Sequence, residues 1–254
     1  MGSVSRQLDG RFNEGSKWPT WLEKTETRAM LVPLTPDSEM HPQAANSMYW
    51  ECAHEVDDPR FEKEAWISST LLSFGPCGFS IGSDATTIFC AAADAPGISK
   101  MPTGPVGSDA AIITSLFVTS QRAGRGLEAV LLDTAIMDLM ERDFEAVEAF
   151  GYHDVGENGD DEIYYDSSDD SGFDDLFNSA SKGFFADVNY EIARHFLGTR
   201  PDNIGLIPVS VLQAAGFEVI KDHPVTPRLR LELPPAHDLL SAAAVEDLVA
   251  KALA

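Results

Sequence analysis

The sequence predicts an α/β fold of the α+β type built around one strand–helix–strand unit. Three observations carry that prediction. Residues 110–118 are nearly all apolar, as a strand buried on both faces requires. Leu127, Leu131, Ala135 and Leu139 then recur four apart with Val130 beside them, which is one face of a helix. Between the two lies a loop that carries Gly124 and Gly126 together with Arg122 and Arg125. A second apolar strand at residues 144–150 closes the βαβ unit.

The remaining elements follow in chain order. Residues 1–27 read as a polar leader without the apolar stretch of a signal peptide. A short strand is expected at 28–34, broken by Pro33. Ala65, Trp66, Ser69, Leu72 and Ser73 fall at helical spacing, so a helix is expected over 62–74, ended by Gly75-Pro76. Residues 77–81 and 86–92 read as two strands around a Gly82-Ser83-Asp84 turn. Residues 94–108, rich in Pro and Gly, read as a loop.

Beyond the βαβ unit the pattern changes abruptly. Residues 153–181 hold ten acidic residues and no Lys or Arg, and read as a flexible surface insertion. The core resumes by Pro208. Residues 209–215 form a short helix, Gly216 fits the position just past its end, and a strand starts at Phe217. Leu229, Leu231 and Leu233 alternate with Arg228, Arg230 and Glu232 in a half-exposed strand over 226–233. One domain therefore covers 28–235, followed by an amphipathic helix over 236–254. Leu240, Ala244, Leu248 and Ala252 form its stripe, with Val245, Val249 and Leu253 beside them. That stripe packs on its own domain or makes a homodimer contact; periodicity reports the apolar face and not what covers it.

Composition limits the function classes. A net charge of −23 argues against nucleic acid as a partner, since a phosphate backbone needs a basic footprint. It permits attraction of a cationic acceptor, although solubility alone accounts for such charge. The apolar runs are too short to cross a membrane. Cys52, Cys77 and Cys90 show no metal or redox spacing, which points to the reducing cytoplasm and to packing roles. The stretch from Asp154 begins like a calcium-binding loop but has Tyr165 where the closing Glu belongs, so no metal site is expected.

The glycine loop admits three readings, all of which use glycines and a helix N-terminus to hold an anion. No Gly-Lys-Ser/Thr closes it, which excludes a P-loop. Gly124-x-Gly126-x-x-Ala129 matches a Rossmann fingerprint, with Glu145 or Glu148 near the ribose acid, and would imply an NAD(P) oxidoreductase. Yet the glycines come late after the strand, and no second nucleotide-binding half follows. The third reading fits better. Gln121-x-x-Gly124-x-Gly126 after a strand resembles the Q/R-x-x-G-x-G/A signature of the GNAT superfamily of N-acetyltransferases. The run Ala214-Ala215-Gly216-Phe217-Glu218-Val219 resembles the helix–Gly-Phe–strand element downstream in that superfamily. Segments 62–66, 147–151 and 227–233 are similar to a bacterial subgroup of it.

The resemblance implies a mixed, mostly antiparallel sheet flanked by helices. Strands 110–118 and 144–150 would run parallel and splay apart around acetyl-CoA (coenzyme A, CoA). Peptide groups of Leu116, Phe117 and Val118 would pair with the pantetheine arm. Gln121, Arg122, Ala123, Gly124, Arg125, Gly126 and Leu127 would hold the pyrophosphate. Arg122 and Arg125 suit phosphate because a guanidinium fork is rigid and doubly donating; the plain alternative is that they are ordinary loop arginines. The implied reaction transfers acetyl to a primary amine of a small molecule or protein by direct attack in a ternary complex.

Such a reaction needs a base for the amine proton. Glu148 is the acid inside the apolar strand after the loop helix, and is the candidate; its alternative is a buried structural partner. Glu145 lies at the strand edge. In many GNAT enzymes a Tyr stands four residues before the Gly of the Gly-Phe pair and protonates the leaving thiolate. Here that position is Leu212, which cannot donate. Ser210, Tyr152 and Tyr190 are substitutes, none of them assigned. The missing Tyr keeps open a non-catalytic acyl-CoA-binding or regulatory protein of the same fold. His153, His195 and His223 each stand without a partner at triad or ligand spacing and read as structural or surface residues.

Overall fold

The computed structural model describes residues 31–153 and 182–254. The expected leader and most of the acidic insertion lie outside these residues. The described strands are β1 (Leu31–Pro33), β2 (Gly78–Ile81), β3 (Ala85–Ala91), β4 (Ala110–Val118), β5 (Ala146–Tyr152), β6 (Ile207–Pro208), β7 (Glu218–Lys221) and β8 (Arg228–Glu232). The helices are α1 (Pro42–Asn46), α2 (Pro59–Ser73), α3 (Leu127–Glu141), α4 (Lys182–Leu197), α5 (Val209–Ala214) and α6 (Ala242–Leu253).

The strands form one mixed sheet in the order β1-β2-β3-β4-β5-β8-β7, with β6 beside the end of β5. Every pair on that path is antiparallel except β4–β5, as α3 crosses over between those two strands. A mixed, mostly antiparallel sheet flanked by helices was expected, and it is what forms. The β4–β5 ladder is short. It runs from Ala110↔Ala146 to Ile113↔Ala149, and beyond that point the two strands part.

Strand alternation divides the core between the two faces. Ile113, Val147, Ala149 and Leu229 face a cluster completed by Leu127, Leu131 and Leu139 of α3 and Leu212 of α5. Their neighbours Ile112 and Phe150 face the other side, with Trp50, Cys90, Ile204 and Leu206. Val245, Val249 and Ala252 of α6 are buried in the first cluster, so its apolar face is covered by its own domain. A fully buried aliphatic side chain contributes roughly 1.5–3 kcal/mol, which makes α6 a substantial part of the fold.

Several elements depart from expectation for local reasons. Helix α2 begins at Pro59 because the Asp58 side chain accepts from the Phe61 amide and Pro59 suits the first helical position. The stretch expected as loop at 94–108 holds a 3₁₀ turn at Pro96–Lys100. The core resumes well before Pro208: α4 and a 3₁₀ turn at Pro201–Ile204 precede it. Helix α4 is hard to read because Ile192 and Phe196 stand about half exposed while Ala193 faces inward.

Candidate functional site

The glycine loop is built by its own backbone. Thr119 donates to the Asp84 carbonyl, and the amides of Arg122 and Ala123 turn back to the Thr119 carbonyl. Gly124 (φ 70°) and Gly126 (φ 92°) are both left-handed, where a side chain is strained. At Gly124 the space a Cβ would take is open, with no atom within 4 Å. Gly126 ends the loop as the N-cap of α3 and offers no capping side chain. Val130 makes the first helical bond, to the Gly126 carbonyl. The amides of Gly126, Leu127, Glu128 and Ala129 therefore have no partner among the described residues, and they sit at the positive end of the helix dipole. Gly124 N donates to Glu128 Oε1 at 2.9 Å, so a carboxylate already rests against this loop.

The two loop arginines are engaged elsewhere. Arg122 Nη1 donates to the Ala252 carbonyl at 2.6 Å, and Arg125 Nη1 reaches the same oxygen at 3.4 Å. That carbonyl belongs to the last turn of α6, where unpaired carbonyls and the negative dipole end attract cations. Arg122 Nε also lies 3.5 Å from Asp84 Oδ2. Gln121 is exposed and makes no hydrogen bond among the described residues.

The opening between β4 and β5 is occupied by the chain itself. Leu116 N donates to Gly205 O at 2.9 Å, so the amide expected to meet a ligand meets the Pro201–Ile204 turn and its continuation. Trp50 Nε1 fixes the preceding carbonyl, Ile204 O, at 2.8 Å. Gly205 is pressed so close that a Cβ would lie 2.6 Å from Ser115 Cβ and 2.7 Å from the Phe117 ring. By the two-residue period of a strand, Val118 directs its amide to the same side as Leu116. Phe117 alternates with them and packs its ring on His41, with centroids 5.6 Å apart.

Glu148, the candidate base, is engaged by its neighbours. It is buried, but it does not stand free in a cleft. Oε1 accepts from Arg230 Nη1 at 3.1 Å and from Gly107 N at 3.2 Å; Oε2 accepts from Arg228 Nη1 at 2.8 Å. It lies opposite Arg230 in the β5–β8 ladder and opposite Ile112 in β4, below the point where the strands part. A carboxylate holding two half-buried guanidinium groups fits the structural-partner alternative. Arg230 continues the network to Asp109 and Glu232, and its hydrogen bonds hold both of those carboxyls below the usual range. Glu145 is exposed, and only its backbone carbonyl is used, by Leu233 N.

The other sequence candidates separate clearly. Leu212 is fully buried in the core, as its apolar character requires. Tyr190 Oη donates to Asp202 Oδ2 at 2.7 Å and accepts from Arg200 Nε at 2.9 Å; its ring meets Tyr152 edge-on. His223 Nδ1 accepts from the amides of Val225 and Thr226 and so shapes a turn. His195 is exposed beside Arg194 and Arg200. Burial pushes the Cys77 thiol up to about 12 and raises the Cys90 thiol well above its ordinary range, so both pack rather than react. Among the described residues no group of His, Cys, Asp and Glu is placed to hold a metal. The stretch that resembles a calcium loop lies outside them.

Sequence reading missed His41. Its Nδ1 accepts from the Gln43 amide at 3.2 Å and caps α1, which leaves Nε2 to carry the proton. Burial lowers its pKa, and Asp84 opposes that shift. The available signal was His41-Pro42 ahead of a short polar helix, a cap pattern rather than a catalytic one. Compared with family models, curated proteins and solved structures, the chain matches none.

Proposed function

We propose that this protein is an acetyl-CoA-dependent N-acetyltransferase of GNAT type that acts in the cytoplasm. One observation carries the reading: parallel strands β4 and β5 part just before a glycine loop whose helix presents four unpartnered amides. That arrangement matches an elongated ligand with a diphosphate at one end and amide carbonyls along its arm. Gly124, with open space where a Cβ would lie, would let the anion approach the backbone, while Leu248 of α6 packs against Gly126. Arg122 and Arg125 stand at the same loop and would add charge-assisted bonds on leaving the α6 terminus. The outward amides of Leu116 and Val118 would hold the arm, and a strand amide there would stabilise developing negative charge on the acyl oxygen. Bound acetyl-CoA supplies an activated thioester for an amine acceptor. The strong negative charge of the chain favours a cationic acceptor. Three free cysteines fit a reducing compartment, and among the described residues no helix is long and apolar enough to cross a membrane.

A second reading has specific support. Leu116 N is covered by Gly205 O, Glu148 is held by two arginines, and Leu212 stands where a proton donor would. These favour a non-catalytic acyl-CoA-binding protein of the same fold. Calorimetry with CoA against NAD tests the ligand, and release of free thiol from acetyl-CoA across an amine panel tests transfer. Thiol release above the hydrolysis background supports the first reading. Binding without release supports the second. Preference for NAD overturns both.

A further inference from the structure

Residues 198–206 form a strap across the acyl end of the groove. Gly198 (φ 68°) stands at its start with no atom within 4 Å of where a Cβ would lie, and Gly205 (φ 64°) stands near its end. Between them the strap is closed on itself: the amides of Asn203, Gly205 and Leu206 donate to the carbonyls of Arg200, Asp202 and Pro201. Those bonds travel with it. Its hydrogen bonds to its surroundings are few. Gly205 O accepts from Leu116 N at 2.9 Å, Ile204 O from Trp50 Nε1 at 2.8 Å and Asn203 Oδ1 from Gln43 Nε2 at 3.2 Å. Tyr190 Oη donates to Asp202 Oδ2 at 2.7 Å and accepts from Arg200 Nε at 2.9 Å. Beside the strap lies an open concavity of about 430 Å³, lined by Arg194, His195, Gly198, Thr199, Arg200 and Asn203.

We propose that this strap is a gate: the Gly205 carbonyl occupies the Leu116 amide, and acyl-CoA binds by putting one of its own carbonyls in that place. The proposal rests on the acyl-CoA reading of the groove. One amide in a parted strand has one in-line acceptor position, so Gly205 and a ligand carbonyl exclude each other. With the strap closed, the Leu116 amide is satisfied without ligand. Opening uncovers Ile204 and Leu206, both 3% exposed, so the closed state prevails until a ligand arm buries equivalent surface. Apparent affinity then falls with the fraction of molecules that are open. A ligand that fills only the phosphate end has no reason to open the strap.

The indole N–H of Trp50 reports the strap, and its signal is assigned by its loss in Trp50→Phe. In the full-length chain, acetyl-CoA should speed hydrogen exchange of that N–H at least tenfold. Adenosine 3′,5′-bisphosphate, which lacks the arm, should bind and leave it slow. Gly205→Ala, with no room for its Cβ against Ser115 and Phe117, should exchange fast without ligand and bind acetyl-CoA at least threefold more tightly. Tyr190→Phe loses one exposed anchor, keeps the ring, and should move both quantities the same way by less. Acetyl-CoA binding that leaves the indole protected, or affinities unchanged in both variants, overturns the gate and leaves the cofactor reading intact. No binding by the wild type or either variant overturns the cofactor reading itself, and the gate with it.

Discussion

The two ends of the β4–β5 groove are built on opposite principles. At the loop end, four amides and two glycines lie within one short stretch of chain, and the amides from Gly126 to Ala129 are unpartnered. At the acyl end, two of the groups expected to act are already engaged: Leu116 N by Gly205 O, and Glu148 by Arg228 and Arg230. An anion can settle on the first end without disturbing anything buried. A ligand at the second must displace a contact that stabilises the ligand-free fold. On the proposed acyl-CoA reading, binding and chemistry would therefore be separable, and perturbing one end should leave the other largely intact.

The largest effect is expected at Glu148. Glu148→Gln removes the charge that holds two half-buried arginines, and breaking a buried ion pair from one side costs about 3–5 kcal/mol. Denaturant titration should show that loss, while CoA affinity per folded molecule stays within about twofold, well under 1.4 kcal/mol. If stability is instead unchanged and turnover collapses, Glu148 is the base and the anchor assignment fails. The next effect belongs to the loop. Gly124→Glu places a carboxylate in open space at the amides, so CoA affinity should fall on the order of 100-fold, about 2.7 kcal/mol. The left-handed backbone there adds a strain of about 1–2 kcal/mol to the fold. Wild-type affinity in that variant would remove the loop as the anion site.

These two predictions differ in how far each was legible in the chain. The glycine loop, β4 and α3 could be read because every residue that defines them is local. Glu148 could be seen as the buried acid of an apolar strand, but its partners could not. Arg228 and Arg230 lie two apart on β8, which puts two cations on one face and calls for a shared carboxylate. Choosing Glu148 as that carboxylate requires the β5–β8 register, a contact between segments about 80 residues apart. The strap was illegible for the same reason: Leu116, Trp50, Gln43 and Tyr190 hold it from four separate parts of the chain. Its supporting helix α4 follows an acidic run whose composition outweighs the helical pattern.

Acid should separate the two ends further. His41 stacks on Phe117 at the acyl end, and burial lowers its pKa below the ordinary 6.5. The unfolded chain then binds the proton more readily than the folded one, so this contribution is present above the unfolded pKa. It is lost as pH falls through the folded value. Between pH 7 and the folded pKa, the protection of the Leu116 and Phe117 amides relative to their intrinsic exchange rates should fall, while that in α3 stays constant. His41→Asn keeps a capping side chain for α1 and removes the titration, so the dependence should flatten. A uniform loss of protection along the chain would show global loosening instead.

The smallest effect tests which arginine is available to a ligand. Arg122 makes the shorter bond to the Ala252 carbonyl and also faces Asp84, whereas Arg125 is exposed and reaches that carbonyl only at 3.4 Å. Arg122→Ala should therefore destabilise the fold by about 1 kcal/mol through the end of α6. Arg125→Ala should leave stability within about 0.5 kcal/mol. For CoA the order reverses, because the weakly held guanidinium turns to phosphate at less cost: Arg125→Ala should weaken binding several-fold and Arg122→Ala by less. Stability by denaturation and affinity by calorimetry on the same samples decide it. Equal losses of affinity would mean that α6 releases both arginines together, and that its last turn, like the strap, competes with the ligand for the groove.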